Sequence, residues 1–410
     1  MSANQGGYNP DNAPPLYQYQ LRFDPSMNYL DYAATTPVDP RVSEAMRPYF
    51  AETFGNPSSI HRDGQKAEAA VDSARETVAS VLGCQPDEIV FTSCGTESDN
   101  LALRGAALAA REKTGANWIV TSKAEHHAVS KTAQQLEKYY GFQVEWLDVD
   151  GDGMITAEAV ERAICDKTTV VSVMYANNEI GTINPIREIS AVCRQHGVAC
   201  HTDAVQAAAY LPANVETLGA DLISLGGHKF YGPKGVGALY VRNGTGLIPS
   251  QTGGAQENSL RAGTQNVPYI VGFAEALKLA AEERQQRTAH VKPMRDHIIG
   301  SVLETVKDAR LTGSAALRLP NHASFVFKDV DGNLLLTLLD AAGFACSSGS
   351  ACKTGNPEPS EVMMALGLSR DWALGSLRVT LGAGTTAQEV DAFLTALPGL
   401  VDKARGLGNS

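Results

Sequence analysis

The chain has 410 residues, of which 43% are hydrophobic and 19% charged, a composition that excludes disordered, collagen-like and coiled-coil architectures. Its net charge of −11 makes it a poor candidate for holding the phosphate backbone of a nucleic acid. It lacks the roughly 18-residue apolar run of a membrane helix, and its first residues lack the basic and apolar regions of a secretory signal.

In chain order, residues 1–27 are polar and without periodicity, and we predict an N-terminal arm there. Helix-like and strand-like segments then alternate, which predicts an α/β fold with a mostly parallel seven-stranded sheet and helices on both faces. The predicted helices are Asp39–Phe50, Ala67–Leu82, Ser98–Lys113, Ala128–Tyr139, Ala157–Ala163 and Ile186–His196. The predicted strands are Ile89–Thr92, Trp118–Ser122, Val144–Val149, Val170–Tyr175, Ala199–Asp203, Leu222–Leu225 and Gly237–Val241.

The pattern changes after a long helix predicted over Gly272–Arg287. A further helix, the short strands Ala323–Phe327 and Leu377–Leu381, and a terminal helix follow. We therefore predict a large domain over 28–285 and a smaller α+β domain over 286–410. The first residues of the large domain are candidates for packing against the small one.

Polar or glycine-rich stretches follow five of the predicted strands. In open α/β sheets, ligands bind beyond the carboxyl ends of the strands, so these stretches predict one large site at that edge. They are residues 93–96, 123–126, 176–179, 203–206 and 226–229.

The seven cysteines are an odd number and include no C-x-x-C pair, which argues against a disulfide framework and a compact metal cage. So many thiols without an export signal predict a reducing, cytoplasmic location. Six of them are expected to be packing or passive residues: Cys84, Cys94, Cys165, Cys193, Cys200 and Cys346. The seventh, Cys352, lies in a small, polar, glycine-rich stretch and is the candidate reagent.

Two ionisable residues follow neighbouring strands. Lys229 lies in a glycine-rich stretch and Asp203 ends the preceding strand. Pyridoxal phosphate chemistry uses this pair, because a lysine forms the Schiff base and an aspartate pairs with the protonated ring nitrogen. The helix that opens at Gly95-Thr96 would hold the phosphate on its free N–H groups.

With these residues in place, the sequence resembles the NifS/IscS-type cysteine desulfurases, the class V aminotransferase branch of fold-type I pyridoxal phosphate enzymes. The resemblance covers about residues 29–397 and rests on several motifs in the right order. They are Tyr-Leu-Asp-Tyr-Ala-Ala-Thr-Thr-Pro (29–37), Gly-Asn-Pro-Ser-Ser-Ile-His (55–61), Thr-Glu-Ser-Asp-Asn-Leu-Ala (96–102), Glu-His-His-Ala-Val (125–129), Asn-Asn-Glu-Ile-Gly (177–181), Gly-His-Lys-Phe-Tyr-Gly-Pro-Lys-Gly (227–235) and Ser-Ser-Gly-Ser-Ala-Cys (347–352).

The resemblance implies a homodimer that takes sulfur from L-cysteine and passes it to acceptor proteins, such as those of iron–sulfur cluster assembly. It makes Lys229 the Schiff-base and proton-transfer residue, and His126 a ring-stacking residue that exchanges a proton with the substrate. The further residues it implies for the cofactor are Asp203, Gln206, Gly95, Thr96, His228, Gly226 and, from the partner subunit, Thr264. Asn178 and Arg378 match the residues that hold the substrate carboxylate.

The resemblance also implies that the thiolate of Cys352 takes the substrate's sulfur and becomes a persulfide, leaving alanine. Lys353 beside it favours the thiolate. Arg261 is a further candidate for the cleft mouth, donated by the partner subunit. Two alternatives stay open: a selenocysteine lyase, and a non-catalytic scaffold for iron–sulfur assembly, against which the retention of Lys229 and Cys352 argues.

One residue departs from the family pattern. Gly226 stands where relatives commonly have a serine whose hydroxyl binds the phosphate. The missing hydrogen bond is worth about 0.5–1.5 kcal/mol. We therefore expect a Gly226→Ser substitution to tighten cofactor binding.

Overall fold

The structure is a computed structural model that describes residues 27–348 and 358–408. The predicted N-terminal arm therefore lies outside the described residues except for its last residue, and so does Cys352. Within the two described ranges, no helix is long and apolar enough to cross a membrane.

Strands and helices alternate along the described chain as the sequence predicts. The strands are β1 (Asn28–Tyr29), β2 (Ile89–Thr92), β3 (Trp118–Ser122), β4 (Gln143–Leu147), β5 (Thr168–Ser172), β6 (Ala199–Asp203), β7 (Leu222–Gly226), β8 (Gly237–Val241), β9 (Ala309–Leu311), β10 (His322–Phe327), β11 (Phe344–Ala345) and β12 (Ser376–Thr380). The helices are α1 (Pro40–Met46), α2 (Pro48–Ala51), α3 (Arg62–Leu82), α4 (Gly95–Thr114), α5 (His127–Tyr140), α6 (Ala157–Ala163), α7 (Ile186–Gln195), α8 (Val215–Leu218), α9 (Val267–Glu282), α10 (Arg284–Thr305), α11 (Gly332–Ala341), α12 (Glu361–Ala365), α13 (Arg370–Ala373) and α14 (Ala387–Gly408).

The large sheet has seven strands in the order β2-β8-β7-β6-β5-β3-β4. Strands β3 to β7 pair in parallel, and β8 runs antiparallel to both of its neighbours. The predicted α/β class with a mostly parallel seven-stranded sheet is confirmed. Strand β2 runs in the same direction as β3 to β7, because β8 is antiparallel to both β2 and β7. The polar stretches after β2, β3, β5, β6 and β7 therefore meet at one edge of the sheet.

Two apolar cores lie on the two faces of this sheet. Successive side chains of a strand point to opposite faces, and here Val170 and Val171 belong to different cores, as do Ile119 and Val120. Residues of α4 and α5 fill one core, whereas α3, α7 and α9 contribute to the other. This burial on both faces explains why β2, β5, β7 and β8 show no alternation of buried and exposed residues.

Two helix predictions differ from the structure. The helix predicted over Asp39–Phe50 is divided at Arg47, because Pro48 begins the second helix and cannot supply a backbone N–H to the first. The helix predicted over Gly272–Arg287 is likewise two helices, α9 and α10, which meet at Glu283. Arg41, distant in the chain, donates to the Glu283 carboxylate at 2.6 Å, a contact that no local pattern reveals.

A second, three-stranded antiparallel sheet has the order β12-β10-β9 and lies in the C-terminal part of the chain. Strand β1 pairs in parallel with β11, and Asp31 forms a bridge with Thr380 beside β12. The first described residues thus pack against the C-terminal part. This contact matters for the site, because residues 29–36 connect two parts of it. Asp31 pairs with Thr380 of β12, and Thr36 bonds to His228 after the end of β7.

Candidate active site

A cavity of about 270 Å³ lies at the carboxyl edge of the large sheet, where β6 and β7 end. Nine residues predicted for the site line it together. They are Gly95, Thr96, His126, Asn178, Asp203, Gln206, His228, Lys229 and Arg378. The cavity is therefore the site that the polar strand ends predict.

Lys229 ends a short 3-10 turn that directly follows β7. Its Nζ donates hydrogen bonds to the carbonyl oxygens of Ala33 and Ala34, at 2.6 and 2.8 Å. Burial lowers the pKa of Lys229 to about 8, and the charge of Arg378 acts in the same direction. Because only the neutral amine is a nucleophile or a base, this environment suits Lys229 to both roles.

Asp203 ends β6 and accepts a hydrogen bond from the Val205 N–H at 2.9 Å. Burial raises the pKa of Asp203, whereas the neighbouring His126 and Lys229 lower it. The carboxyl of Asp99 is also buried, and ligand atoms of Asp99, His126 and Asp203 lie within 4.8 Å of one another. A carboxylate in this surrounding is stabilised by a cation, and a protonated pyridine nitrogen meets that need.

His126 is the N-cap of α5, and its Nδ1 accepts the backbone N–H of Ala128 at 3.1 Å. Burial lowers the pKa of His126, which favours the neutral ring. With Nδ1 serving as an acceptor, the proton of the neutral imidazole is on Nε2. The cap therefore sets both the orientation of the ring and its tautomer.

The N-terminus of α4 provides the anion-binding end of the cavity. Cys94 occupies the N-cap position, and its side chain makes no capping hydrogen bond, so the first N–H groups are available to a ligand. Glu97 in the first turn would repel an anion, but Arg261 of the same chain pairs with it at 2.8 Å. Gly95 and Thr96 thus present an N-terminus suited to a phosphate.

Val205 explains why two glycines lie beside this N-terminus. A Cβ atom on Gly95 would lie 2.6 Å from Cγ2 of Val205, and one on Gly226 would lie 3.2 Å from its Cγ1. The valine methyl groups occupy the room that larger residues would need. Sequence reasoning missed Val205, because an apolar residue between Asp203 and Gln206 carries no recognisable chemistry.

Arg378 lies on β12 and is almost fully buried. Its Nη2 donates to Oδ1 of Asp31 at 2.7 Å, and its Nη1 donates to the carbonyl oxygen of Asn178 at 2.9 Å. Its Nε has no hydrogen-bond partner among the described residues. An arginine held at two points and retaining an unused donor is suited to a carboxylate ligand. Asp31 was not predicted, although it lies in the first motif.

Gln206 and His228 also contact residues 33–36. The Gln206 side-chain amide donates to the Ala33 carbonyl oxygen at 2.8 Å, and Nδ1 of His228 lies 3.1 Å from Oγ1 of Thr35. Burial lowers the pKa of His228 to about 4, so its ring is neutral. The partners lie about 170 to 190 residues away in the chain, and one of them is a backbone carbonyl, so no local sequence pattern predicts these contacts.

Two predicted residues of the described chain, Gly226 and Thr264, do not line the cavity. Gly226 lies beside it, against Val205 and Gly95. Thr264 is exposed and does not reach the cavity of its own chain, which agrees with the expectation that it serves a partner subunit. Cys352 lies outside the described residues.

Asp99 is a polar residue of the cavity that was not predicted, although the spacing of residues on α4 could have indicated it. It lies four residues after Gly95 on α4, so the two occupy the same face of the helix. His201 of β6 is buried between the hydroxyls of Ser172 and Ser224, at 2.8 and 3.0 Å.

The cysteine predictions are partly wrong. Cys193 and Cys200 are buried as expected, and Cys84 and Cys346 are partly buried. Cys165 is exposed, because it lies in the turn between α6 and β5 rather than inside either element. Cys94 lines the cavity, so a thiol other than the predicted reagent is present there.

The comparisons with known proteins agree with this geometry. The family model described as aminotransferase class-V matches residues 28–393. A cysteine desulfurase IscS from Dictyoglomus turgidum is 45% identical over 377 residues, covering 92% of this chain and 95% of that protein. A solved NifS-like protein has a TM-score of 0.85 at 37% identity, covering 92% of this chain and all (100%) of that one. The structure titled SspA in complex with cysteine has a TM-score of 0.74 at 36% identity, covering 88% and 100%.

Proposed function

The chain belongs to the aminotransferase class-V family and, within it, to the cysteine desulfurases, and from this premise we propose how its residues perform the reaction. The family, the fold class and the desulfurase activity predicted from the motifs are thereby confirmed. L-cysteine is the substrate, L-alanine is the product, and the sulfur leaves as a persulfide on Cys352. Acceptor proteins such as iron–sulfur assembly scaffolds then receive it.

The cofactor of this proposal is pyridoxal 5′-phosphate. The cavity suits it at three points: the carboxylate of Asp203 for the ring nitrogen, the uncapped N-terminus of α4 for the phosphate, and the amine of Lys229 for the aldehyde. Gln206 and His228 complete the polar lining. When bound, pyridoxal phosphate supplies an electron sink beside the substrate's Cα atom.

Lys229 and His126 hold and move protons. With its pKa lowered to about 8, Lys229 loses its proton readily near neutral pH and can take one from the substrate's Cα. His126 lines the cavity, and its Nδ1 accepts a backbone N–H of α5. Its Nε2 is therefore the nitrogen that can exchange a proton. Arg378 and Asn178 orient the substrate through its carboxylate, since both line the cavity together with Asp203.

The sulfur step forms one bond and breaks one. The thiolate sulfur of Cys352 attacks the substrate Sγ, an S–S bond forms, and the Cβ–Sγ bond breaks with its electron pair remaining on the carbon side. Protons then complete alanine. L-cysteine and the protein thiol are thus converted into L-alanine and a protein persulfide, with no external oxidant or reductant.

We propose a homodimer in the cytoplasm as the working form. Thr264 is exposed and lies away from the cavity of its own chain, which supports a role in a partner's phosphate site. Phe50, Phe54 and Ile60 are exposed by 58%, 74% and 94%, an apolar surface that a second copy would cover. The cysteines of the described residues are free thiols, which supports a reducing compartment.

The observation that carries this proposal is the meeting of Lys229, Asp203 and Arg378 in one cavity of a desulfurase-family chain. The test is a single turnover of the purified holoenzyme with L-cysteine, scoring L-alanine and protein-bound persulfide. We expect one L-alanine for each persulfide. Formation of pyruvate and free sulfide without a protein persulfide would contradict the proposal.

Gly226 offers a prediction about cofactor affinity. A serine there would add one hydrogen bond for the phosphate, but its Cβ would lie 3.2 Å from Val205, which must yield. This contact revises the expectation from the sequence: we expect Gly226→Ser alone to gain little, and Gly226→Ser with Val205→Ala to bind pyridoxal phosphate about twofold to tenfold more tightly than the wild type. Equilibrium dialysis of the two single variants and the double variant measures this. Equal gains with and without Val205→Ala would refute the packing explanation.

A further inference from the structure

The guanidinium of Arg378 is held in the cavity wall by two contacts from different parts of the chain. Its Nη2 donates to the Asp31 carboxylate at 2.7 Å, and its Nη1 donates to the carbonyl oxygen of Asn178 at 2.9 Å. Its buried Nε has no hydrogen-bond partner within residues 27–348 and 358–408. The two contacts therefore orient the group while a donor remains for a ligand.

Asp31 reaches Arg378 because the chain around it lies along β12. Thr380 donates its backbone N–H to the Leu30 carbonyl oxygen at 2.8 Å, and its own carbonyl oxygen accepts the Tyr32 N–H at 3.4 Å. Alternate residues of a strand share a face, so the side chains of Arg378 and Thr380 lie on the same side of β12. This backbone pairing brings the Asp31 carboxylate to the guanidinium.

The same segment also holds Lys229. The Nζ of Lys229 donates to the carbonyl oxygens of Ala33 and Ala34, which follow Asp31 closely in the chain. The Tyr29 hydroxyl donates to the Asp31 carbonyl oxygen at 3.0 Å and so braces the segment from within. One short segment thus contacts both cations of the site, one through a carboxylate and the other through backbone carbonyls.

Asp31 also balances a buried charge. The side chain of Arg378 is 9% exposed and that of Asp31 is 16% exposed. Without Asp31, the guanidinium would lose the charge that compensates it, and only the Asn178 carbonyl would hold it. A planar group held by one hydrogen bond can turn about that bond. Asp31 does not line the cavity, so it holds Arg378 without taking the space of a ligand.

We propose that Asp31 is a positioning residue that sets the preference for a substrate with an α-carboxylate, because it fixes the orientation of the Arg378 guanidinium. The inference rests on the proposed function, in which Arg378 binds the substrate carboxylate. Removal of Asp31 should therefore weaken recognition of the carboxylate and leave recognition of the amino group unchanged. L-alanine and ethylamine differ only in the carboxylate and can separate the two effects.

The test measures the dissociation constants of L-alanine and ethylamine for the holoenzyme by calorimetry at one pH. The ratio of the ethylamine constant to the L-alanine constant is the carboxylate preference. We expect Asp31→Ala to lower this ratio about tenfold, the order of one hydrogen bond to a charged group. The ethylamine constant should not change. Asp31→Asn keeps an acceptor for Nη2 but not the charge, so its ratio should lie between those of Asp31→Ala and the wild type.

Two reference variants separate positioning from a general loss of structure, which would raise both constants together and leave the ratio unchanged. Arg378→Ala removes the guanidinium and should give the lowest ratio. Asp221→Asn is the matched control, because Asp221 pairs with Arg242 at 3.0 Å at the other end of β7 and does not line the cavity. It should leave both constants unchanged. The pyridoxal phosphate content of each variant, read from its absorbance, reports whether the cofactor site is intact.

A wild-type ratio in Asp31→Ala would overturn the inference. A ratio above that of the wild type would also overturn it, because Asp31 would then compete with the ligand for Arg378. If Asp31→Ala does not fold, the same outcomes are read from Asp31→Ser. A wild-type ratio in Arg378→Ala would instead overturn the assignment of Arg378 in the proposed function, and the inference with it.

Discussion

Lys229→Ala is expected to abolish covalent attachment of pyridoxal phosphate and to lower L-alanine production by at least 10²–10⁴-fold, roughly the cost of losing a general acid–base group. Lys229 is the amine that lines the cavity with a pKa lowered to about 8, so its removal leaves the site without nucleophile and base. Borohydride reduction of the holoenzyme, digestion and mass spectrometry locate the attached cofactor. Alanine release from L-cysteine measures turnover.

Lys234→Ala is the matched control, because this lysine belongs to the same glycine-rich motif but is exposed and absent from the cavity lining. We expect it to retain the cofactor on Lys229 and to retain turnover. If borohydride reduction of Lys229→Ala attached the cofactor to another lysine and turnover were preserved, the assignment of Lys229 would be wrong.

Cys352→Ala should keep the cofactor and bind L-cysteine, yet lose persulfide formation and sulfur transfer to the level of a no-enzyme control. The chemistry needs a thiolate that attacks the substrate's sulfur, and alanine supplies no nucleophile. Pyridoxal phosphate content and L-alanine affinity report the intact site. Cyanolysis and mass spectrometry of the Cys352 peptide report the persulfide.

The structure makes Cys94 the necessary control for this prediction, because its thiol lines the cavity. Cys94→Ala should form persulfide on Cys352 at a rate close to that of the wild type. Cys165→Ala, at an exposed thiol outside the cavity, should also be unaffected. If the Cys352→Ala variant formed a persulfide on Cys94 at the wild-type rate, the assignment of the reaction to Cys352 would be wrong.

Local patterns predicted much of the fold. The strands predicted at Ala199–Asp203 and Leu222–Leu225 are present as β6 and β7, and β6 ends at Asp203 as the sequence predicts. Helix limits were less predictable, as the division between α9 and α10 shows. The two helices meet at Glu283, which contacts Arg41 from a distant part of the chain, and local periodicity contains no information about this contact.

The sequence by itself determined the chemistry of this protein: the residue types of Lys229, Asp203, His126 and Arg378, and their places in motifs that lie at strand ends. Each role depends on the functional group and on a few neighbouring residues, so a local pattern is enough to predict it. Only the tertiary structure decided which groups surround them. The carbonyls of Ala33 and Ala34 on Lys229 and the Asp31 carboxylate on Arg378 come from distant parts of the chain. Burial shifts the pKa values of Lys229, Asp203 and His126, and long-range hydrogen bonds orient the side chains of Lys229 and Arg378. Both effects depend on packing rather than on neighbours in sequence.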